Sequence, residues 1–244
     1  MKVTILGKYG PYPPAGGSCS GYLLEGENTK ILLDCGNGVF NRLQKHIPHE
    51  SLDAVVISHL HWDHVADLFI FRYAVERSLV LGKRKRPLEV YTLTEPWEVY
   101  SFLPFLDAVE IKPLNRYGDI RLGEFKLTFL PTVHSKPCCA VKVEKEGKTM
   151  VYSGDTEYFE GLIDFVGSSH LFLCEANFLA RDLNLNRSNH LASFQAAQIA
   201  REGGVKSLKL THLHPENPVE EVLSEALEEF SRAELAEENE VIIL

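Results

Sequence analysis

A layered α/β sandwich is the fold class that the sequence predicts, and three observations predict it. Short apolar β-type runs outnumber the helical patterns, and the two do not follow the strict strand–helix–strand order of an all-parallel sheet. The runs also fall into two halves, each of which finishes on a cluster of acid and imidazole side chains. A chain of 244 residues, 45% hydrophobic and 24% charged, is ample for one large core and short for two. Residues 1–244 are therefore expected to form a single domain.

In chain order, "KVTILG", "GYLLEG", "TKILLDCG" and "DAVVISH" read as strands set apart by glycine turns. Between the third and fourth, Val39, Phe40, Leu43 and Ile47 stand at helical spacing. A second helix is expected over residues 65–81, with Leu68, Phe69, Phe71, Tyr73, Val75 and Leu79 apolar all round, so it should be largely buried. The basic run "GKRKRP" between Gly82 and Pro87 reads as a solvated loop, with contact to an anionic substrate as the alternative. Further strands are expected at "LEVYTL", "VEIKPL", "FKLTFLP", "CCAVKVE", "KTMVYSG", "HLFLCEA" and "SLKLTH", and a short last one at "VIIL". Helices are expected at "EPWEVYSFL" behind Thr94, at "LASFQAAQIAREGG" with its terminal glycines, and at "VEEVLSEALEEFSRAEL" behind Pro218.

Composition excludes several classes. With 25 Lys and Arg against 34 Asp and Glu, the formal charge of -9 repels a phosphate backbone, so any nucleic-acid contact must be local. No run approaches the roughly 18 to 20 apolar residues that span a bilayer, and "MKVTILGKYG" lacks the apolar core of a signal peptide. No membrane association and a cytoplasmic location are the expectation. Cys19, Cys35, Cys138, Cys139 and Cys174 are odd in number and contain no CxxC pair, and so read as buried reduced thiols. The neighbours Cys138 and Cys139 would point to opposite faces of a strand and cannot both serve one metal.

The stretch "SHLHWDH" places His59, His61, Asp63 and His64 directly after an apolar run. If the segment stays extended, His59 and His61 project to one side, while Asp63 and His64 enter the next helix from another direction. Other candidates stand where strand runs stop: His134 after "KLTFLPTV", Asp155 in "VYSGDT" and His212 after "SLKLT". Five imidazoles and two carboxylates match the needs of two transition-metal ions of four or five ligands each, with one carboxylate bridging. His46, His49 and His170 lie outside this pattern and read as surface or packing residues.

His59-x-His61-x-Asp63-His64, followed by a lone His, the "SGDT" Asp and the "THL" His, resembles the metallo-β-lactamase superfamily. The resemblance spans about residues 30 to 214 and implies a four-layer αββα sandwich with a dinuclear site at one edge of its sheets. It implies that His59, His61 and His134 hold one metal, that Asp63, His64 and His212 hold the second, and that Asp155 bridges them. Asp34 in "ILLDCG" would support the site from behind. Two divalent ions are the implied cofactors, zinc first, with manganese or iron as alternatives. They imply hydrolysis through a metal-bridging hydroxide.

"LFLCEANF" followed by "NHLASFQAAQIA" resembles the ribonuclease Z branch, in which a strand-end Glu pairs with a His opening the next helix. Glu175 and His190 match those positions, and with Asp63 they are the catalytic candidates; a His190 that merely caps the helix is the alternative. The chain departs from that branch at Cys174, at Asn177 and at "HLAS", and it has no long glycine- and lysine-rich tRNA-gripping insertion. The expected reaction is therefore hydrolysis of a small, cyclic or RNA-type phosphodiester, with a small molecule or nucleotide rather than tRNA as substrate. A carboxylic ester, lactone or thioester hydrolase on the same site is the alternative, although "PTVHSKPCC" lacks the "GHTPG"-like context of glyoxalase II-type members. A non-catalytic metal- or nucleotide-binding protein is a third reading. Dimers are frequent among such relatives, so a homodimer is compatible with the resemblance. His214 would face the same side as His212 if its strand continued.

Overall fold

A computed structural model describes residues 1–185 and 189–244. The first half contains β1 (Lys2–Gly7), β2 (Gly21–Glu25), β3 (Lys30–Leu33), α1 (Val39–His46), β4 (Ala54–Val56), the single turn α2 (Trp62–Val65), α3 (Leu68–Val80), β5 (Leu88–Thr92), α4 (Trp97–Tyr100) and β6 (Val109–Pro113). The second contains β7 (Asp119–Leu122), β8 (Phe125–Pro131), β9 (Cys139–Lys145), β10 (Lys148–Tyr152), α5 (Glu160–Val166), β11 (Leu171–Glu175), α6 (Ser193–Glu202), β12 (Leu208–Thr211), α7 (Val219–Glu229), β13 (Ala233–Leu235) and β14 (Val241–Ile243).

The strands form two seven-stranded sheets, ordered β14-β1-β2-β3-β4-β5-β6 and β13-β12-β11-β10-β9-β8-β7. Each half repeats one plan: an antiparallel meander runs into parallel strands joined by helices. Where both faces of a sheet are covered, as at β3, β4, β11 and β12, the strands are buried along almost their whole length, whereas β5 and β8 alternate. In β3, Ile31 and Leu33 enter the core between the sheets with Phe125, Val141 and Leu173, whereas Leu32 faces Leu43, Phe71 and Val75 of the helices outside. In β11, Leu171 and Leu173 turn inward while Phe172 and Cys174 pack under Leu162, Ala196 and Val222. The result is a four-layer αββα sandwich, as the resemblance implies.

Several boundaries differ from expectation. The helix expected over residues 65–81 is α2 plus α3, and it buries one side only: Leu68, Phe71 and Val75 face the sheet, while Ile70 and Tyr73 are 61% and 54% exposed. Its apolar outer face is covered only in part, by the Arg72 guanidinium over the rings of Phe69, Tyr73 and Phe105. The last long helix ends at Glu229, and "AEL" instead pairs in parallel with β12 as β13, where backbone pairing at a sheet edge overrides helical propensity. The helix behind Thr94 shrinks to α4. The short elements β7 and α5 carried no clear periodic signal. No described helix is long and apolar enough to cross a membrane.

The parallel strands matter most for function. Asp34 follows β3, Ser58 and His59 follow β4, Asp155 follows β10, Glu175 ends β11 and His212 follows β12. The carboxyl ends of these strands converge on one edge of the sandwich, where α/β sheets place their ligands. Phe125, fully buried between the sheets, tests the core that holds this edge in place. Phe125→Ala should cost about 3–5 kcal/mol in denaturant unfolding. Ile243→Ala, at a side chain 72% exposed, should stay within about 0.5 kcal/mol.

Candidate metal centre

The segment between β4 and α2 stays extended through His61, so His59 and His61 reach the same space, with His59 Nε2 3.0 Å from His61 Nδ1. The loop after β8 is pinned to the loop after β10, since Thr132 Oγ1 donates to the Asp155 carbonyl and the Val133 amide to Thr156 Oγ1. That pinning brings His134 Nε2 to 3.1 Å from His61 Nδ1. Asp155 Oδ2 lies 3.6 Å from His59 Nε2 and 3.9 Å from His134 Nε2. These four side chains form one group of potential ligands.

A second group shares Asp155. Asp63 Oδ2 lies 3.1 Å from His212 Nε2 and 3.4 Å from His64 Nε2. Asp155 Oδ1 lies 3.4 Å from His64 Nε2, and its Oδ2 lies 3.4 Å from His212 Nε2. Ligands bonded at about 2.0–2.2 Å to a tetrahedral ion stand roughly 3.4 Å from one another, so both groups have the spacing a divalent ion requires. His64 Nε2 and Asp155 Oδ1 are buried without a hydrogen-bond partner. Such orphaned atoms are costly unless something binds them, and a cation between the groups would satisfy both. The donor set therefore fits a divalent metal.

The remaining ring nitrogens are already engaged. His64 Nδ1 donates to Asp34 Oδ2 at 2.7 Å, and His134 Nδ1 donates to the Asn189 carbonyl at 2.9 Å. Asp34 also accepts from the Ser58 amide, Ser58 Oγ and the Tyr152 hydroxyl, while Ser58 Oγ lies 3.1 Å from His59 Nδ1. These bonds fix the tautomers that leave Nε2 of His59, His64 and His134 facing the centre.

A family model described as a beta-lactamase superfamily domain matches residues 29–213. The chain belongs to the metallo-β-lactamase superfamily. It is 35% identical over 213 residues to the probable metallo-hydrolase YhfI of Bacillus subtilis, a match that covers 87% of each chain. The crystal structure of YhfI is similar with a TM-score of 0.94 and 33% identity, over 99% of this chain and 98% of that one. A ribonuclease Z from Methanopyrus kandleri is 27% identical over 267 residues, covering 94% of this chain and 93% of the relative. Human short-form tRNase Z shares the fold at a TM-score of 0.77 and 20% identity, with 100% and 99% covered. This superfamily member is accordingly a metal-dependent hydrolase.

Electrostatics of the superfamily member's site agree with that assignment. Burial drives the His59 imidazole well below its ordinary range, helped by His64. Burial, with His134 beside it, likewise lowers His61 to about 4. Neutral rings are the form that ligates. Burial opposes charge on Asp63 and Asp155, but the imidazoles around them outweigh it, so both carboxylates are held well below the usual range. His64 is raised although burial works against it, because Asp155, Asp63 and Asp34 surround it. The negative potential that holds a proton on its Nε2 is the potential that would draw in a divalent cation.

Glu175 and His190 meet as the sequence suggested, with His190 Nδ1 3.1 and 3.0 Å from the two carboxylate oxygens. Glu175 is fully buried and also accepts from the Thr156 amide. Burial disfavours the charged imidazole, yet the Glu175 carboxylate outweighs it and holds His190 at about 9. The His190 ring stacks on that of His212, with centroids 5.2 Å apart. His190 therefore faces the candidate ligands, and Ala192 rather than His190 holds the cap position of α6.

His214 does not continue a strand. β12 ends at Thr211, and His212 takes the left-handed region at φ 51, so alternation stops before His214. His214 sits instead beside Tyr12 and Glu216. The basic run of residues 83–86 lies near the amino ends of β4 and β5, the opposite end from the metal ligands.

Four contributors escaped sequence reasoning. Ser58 and Tyr152 act through Asp34, and no local pattern marks them. Asn177, a departure from the ribonuclease Z pattern, donates its amide to the carbonyls of Gly10 and His212, which secures the left-handed His212 backbone. Gly10 lies against the His212 ring so closely that an added Cβ would be 2.0 Å from Nε2. Gly10→Ala should therefore lower the metal bound per folded chain in elemental analysis, with circular dichroism unchanged. Gly118→Ala, where a Cβ meets nothing nearer than 3.4 Å, should retain the full content.

Proposed function

We propose that the chain is a phosphodiesterase acting on a small or cyclic phosphodiester, with His59, His61, His134 and Asp155 holding one metal ion and Asp63, His64, His212 and Asp155 the other. The observation that carries this reading is the buried Glu175 carboxylate holding His190 protonated against the metal ligands. Two bound divalent ions would supply an activated water near neutral pH and offset negative charge in the transition state.

The protein's own groups account for the rest. His190 donates its Nδ1–H to Glu175 as a hydrogen bond, so the Nε2–H is the free donor, placed beside His134 and His212. A charged N–H there can bind a phosphoryl oxygen and then protonate the leaving alkoxide. Glu175 does not meet substrate; it orients His190 and keeps it charged. Asp63, held ionised by His64 and His212, offers both a ligand oxygen and a proton acceptor. A carboxylic ester or thioester makes less use of a cationic proton donor, since its oxyanion carries a single charge and a thiolate leaves without protonation.

The net charge of -9 and the remoteness of the basic run from this edge favour a small substrate over tRNA. The relatives named ribonuclease Z support phosphodiester chemistry at a site of this kind.

The chain loaded with zinc or manganese should hydrolyse bis(p-nitrophenyl) phosphate and cyclic nucleotides in preference to a lactone and a thioester assayed in parallel. His190→Ala should lower kcat on the cyclic nucleotide, whose leaving group is an alkoxide, about a hundredfold or more while metal content is retained. Faster turnover of the lactone or thioester would assign the site to carboxylic acid derivatives, and no turnover with metal confirmed would refute the phosphodiesterase reading.

A further inference from the structure

The basic run that the metal centre leaves unused lines a cleft of its own, of about 640 Å³. The cleft opens where the amino ends of β4 and β5 meet the β7–β8 hairpin at the rim of the two sheets. Its size is that of a small-molecule site. It is also separate from the metal centre, because it adjoins Ala54 at the start of β4 whereas His59 lies beyond that strand's other end.

The loop that carries the cations is built rather than loose. Arg84 is only partly exposed and donates to the carbonyls of Leu52, Glu50, Arg86 and Pro87 at 2.5, 3.1, 2.8 and 3.3 Å. The amides of Lys83 and Arg84 both donate to the Ser78 carbonyl near the end of α3. With Arg84 committed to the backbone, Lys83, Lys85 and Arg86 project from a fixed turn, and Arg121 faces them from the hairpin. Among the described residues, none of these four takes part in an ion pair.

The acids of the same cleft each have a partner other than these four cations. Asp53 accepts from the Lys30 amide, Glu89 from the Tyr91 hydroxyl, Glu110 from Lys112, and Glu50 lies 3.4 Å from His49. Four cations without ion-pair partners, gathered on a fixed turn and hairpin, give this cleft a local positive field within a chain of charge -9. The partly buried Tyr91 and the oxygens of Glu89 and Glu110 offer the other end of the cleft an apolar ring and hydrogen-bond acceptors.

We propose that this cleft is a second binding site, for a phosphorylated small molecule of nucleotide size. Lys83, Lys85, Arg86 and Arg121 take the phosphate, and the hydroxyl or amino groups of the remainder donate to Glu89 and Glu110 beside Tyr91. The site is independent of whichever ester the metal centre cleaves.

The test is hydrogen exchange by mass spectrometry on the metal-loaded protein with and without AMP, together with calorimetric titration. AMP should protect peptides that cover residues 50–54, 83–87 and 119–123. The double variant Lys83→Glu and Lys85→Glu, at two exposed side chains, should lose that protection and bind about tenfold more weakly or worse. Hydrolysis of bis(p-nitrophenyl) phosphate by the double variant should be unchanged, which separates this site from the metal centre. Protection confined to residues 58–66, no protection up to about 1 mM AMP, or equal binding by the double variant would each overturn the proposal.

Discussion

The Asp34 carboxylate is the interaction on which the rest of the site depends. It sits at the end of β3 in the left-handed region at φ 56, an uncommon conformation for a residue with a side chain. Four donors reach it: the Ser58 amide and hydroxyl beyond β4, the His64 ring on α2, and the Tyr152 hydroxyl at the end of β10. Tyr152 belongs to the opposite sheet, so this one carboxylate joins both sheets to the metal-binding loop. Without it, a buried amide, two hydroxyls and a ring N–H would lose their acceptor, at about 1–3 kcal/mol for each group left unsatisfied. That penalty accounts for the strained backbone at Asp34, since four bonds over-determine its position.

A second constraint comes from layering. The central parallel strands β3, β4 and β11 are covered on both faces and mostly apolar, which favours their ends for polar chemistry. The sandwich therefore concentrates acids and imidazoles at one edge, where Asp34, His59, Asp155, Glu175 and His212 all follow or finish parallel strands. The other end of the same strands carries the basic turn and its cleft. The two ends thus hold opposite kinds of charge chemistry, with the hydrophobic core between them.

Within the edge itself, charge balance decides what the site can do. Buried imidazoles are costly to charge and buried carboxylates are costly to leave unpaired, so the imidazoles keep Asp63 and Asp155 ionised while the carboxylates around His64 favour a cation there. His190 differs from His59 and His61, whose burial keeps them neutral, because Glu175 holds it cationic. A proton donor thus stands next to a cluster of potential metal ligands, within one edge of the sandwich.

The sequence by itself determined the layered α/β class, most strands and the set of ligand-type residues, because burial on two faces and metal ligation both leave local marks. Apolar runs stop where the chain meets solvent, and "SHLHWDH" concentrates side chains that packing alone would not gather. It left undecided how His134, Asp155 and His212 meet that loop, since residues far apart in the chain are brought together only by strand order. Tertiary structure alone recruited Gly10, Ser58, Tyr152 and Asn177, whose contributions are a missing Cβ, a hydroxyl and an amide with no periodic signature. It likewise ended the strand before His212, turned "AEL" from helix to edge strand, and set the basic run at the strand ends opposite the candidate ligands. Each of those outcomes depends on which backbone groups find partners across the sheets, a long-range condition that no local pattern of residues records.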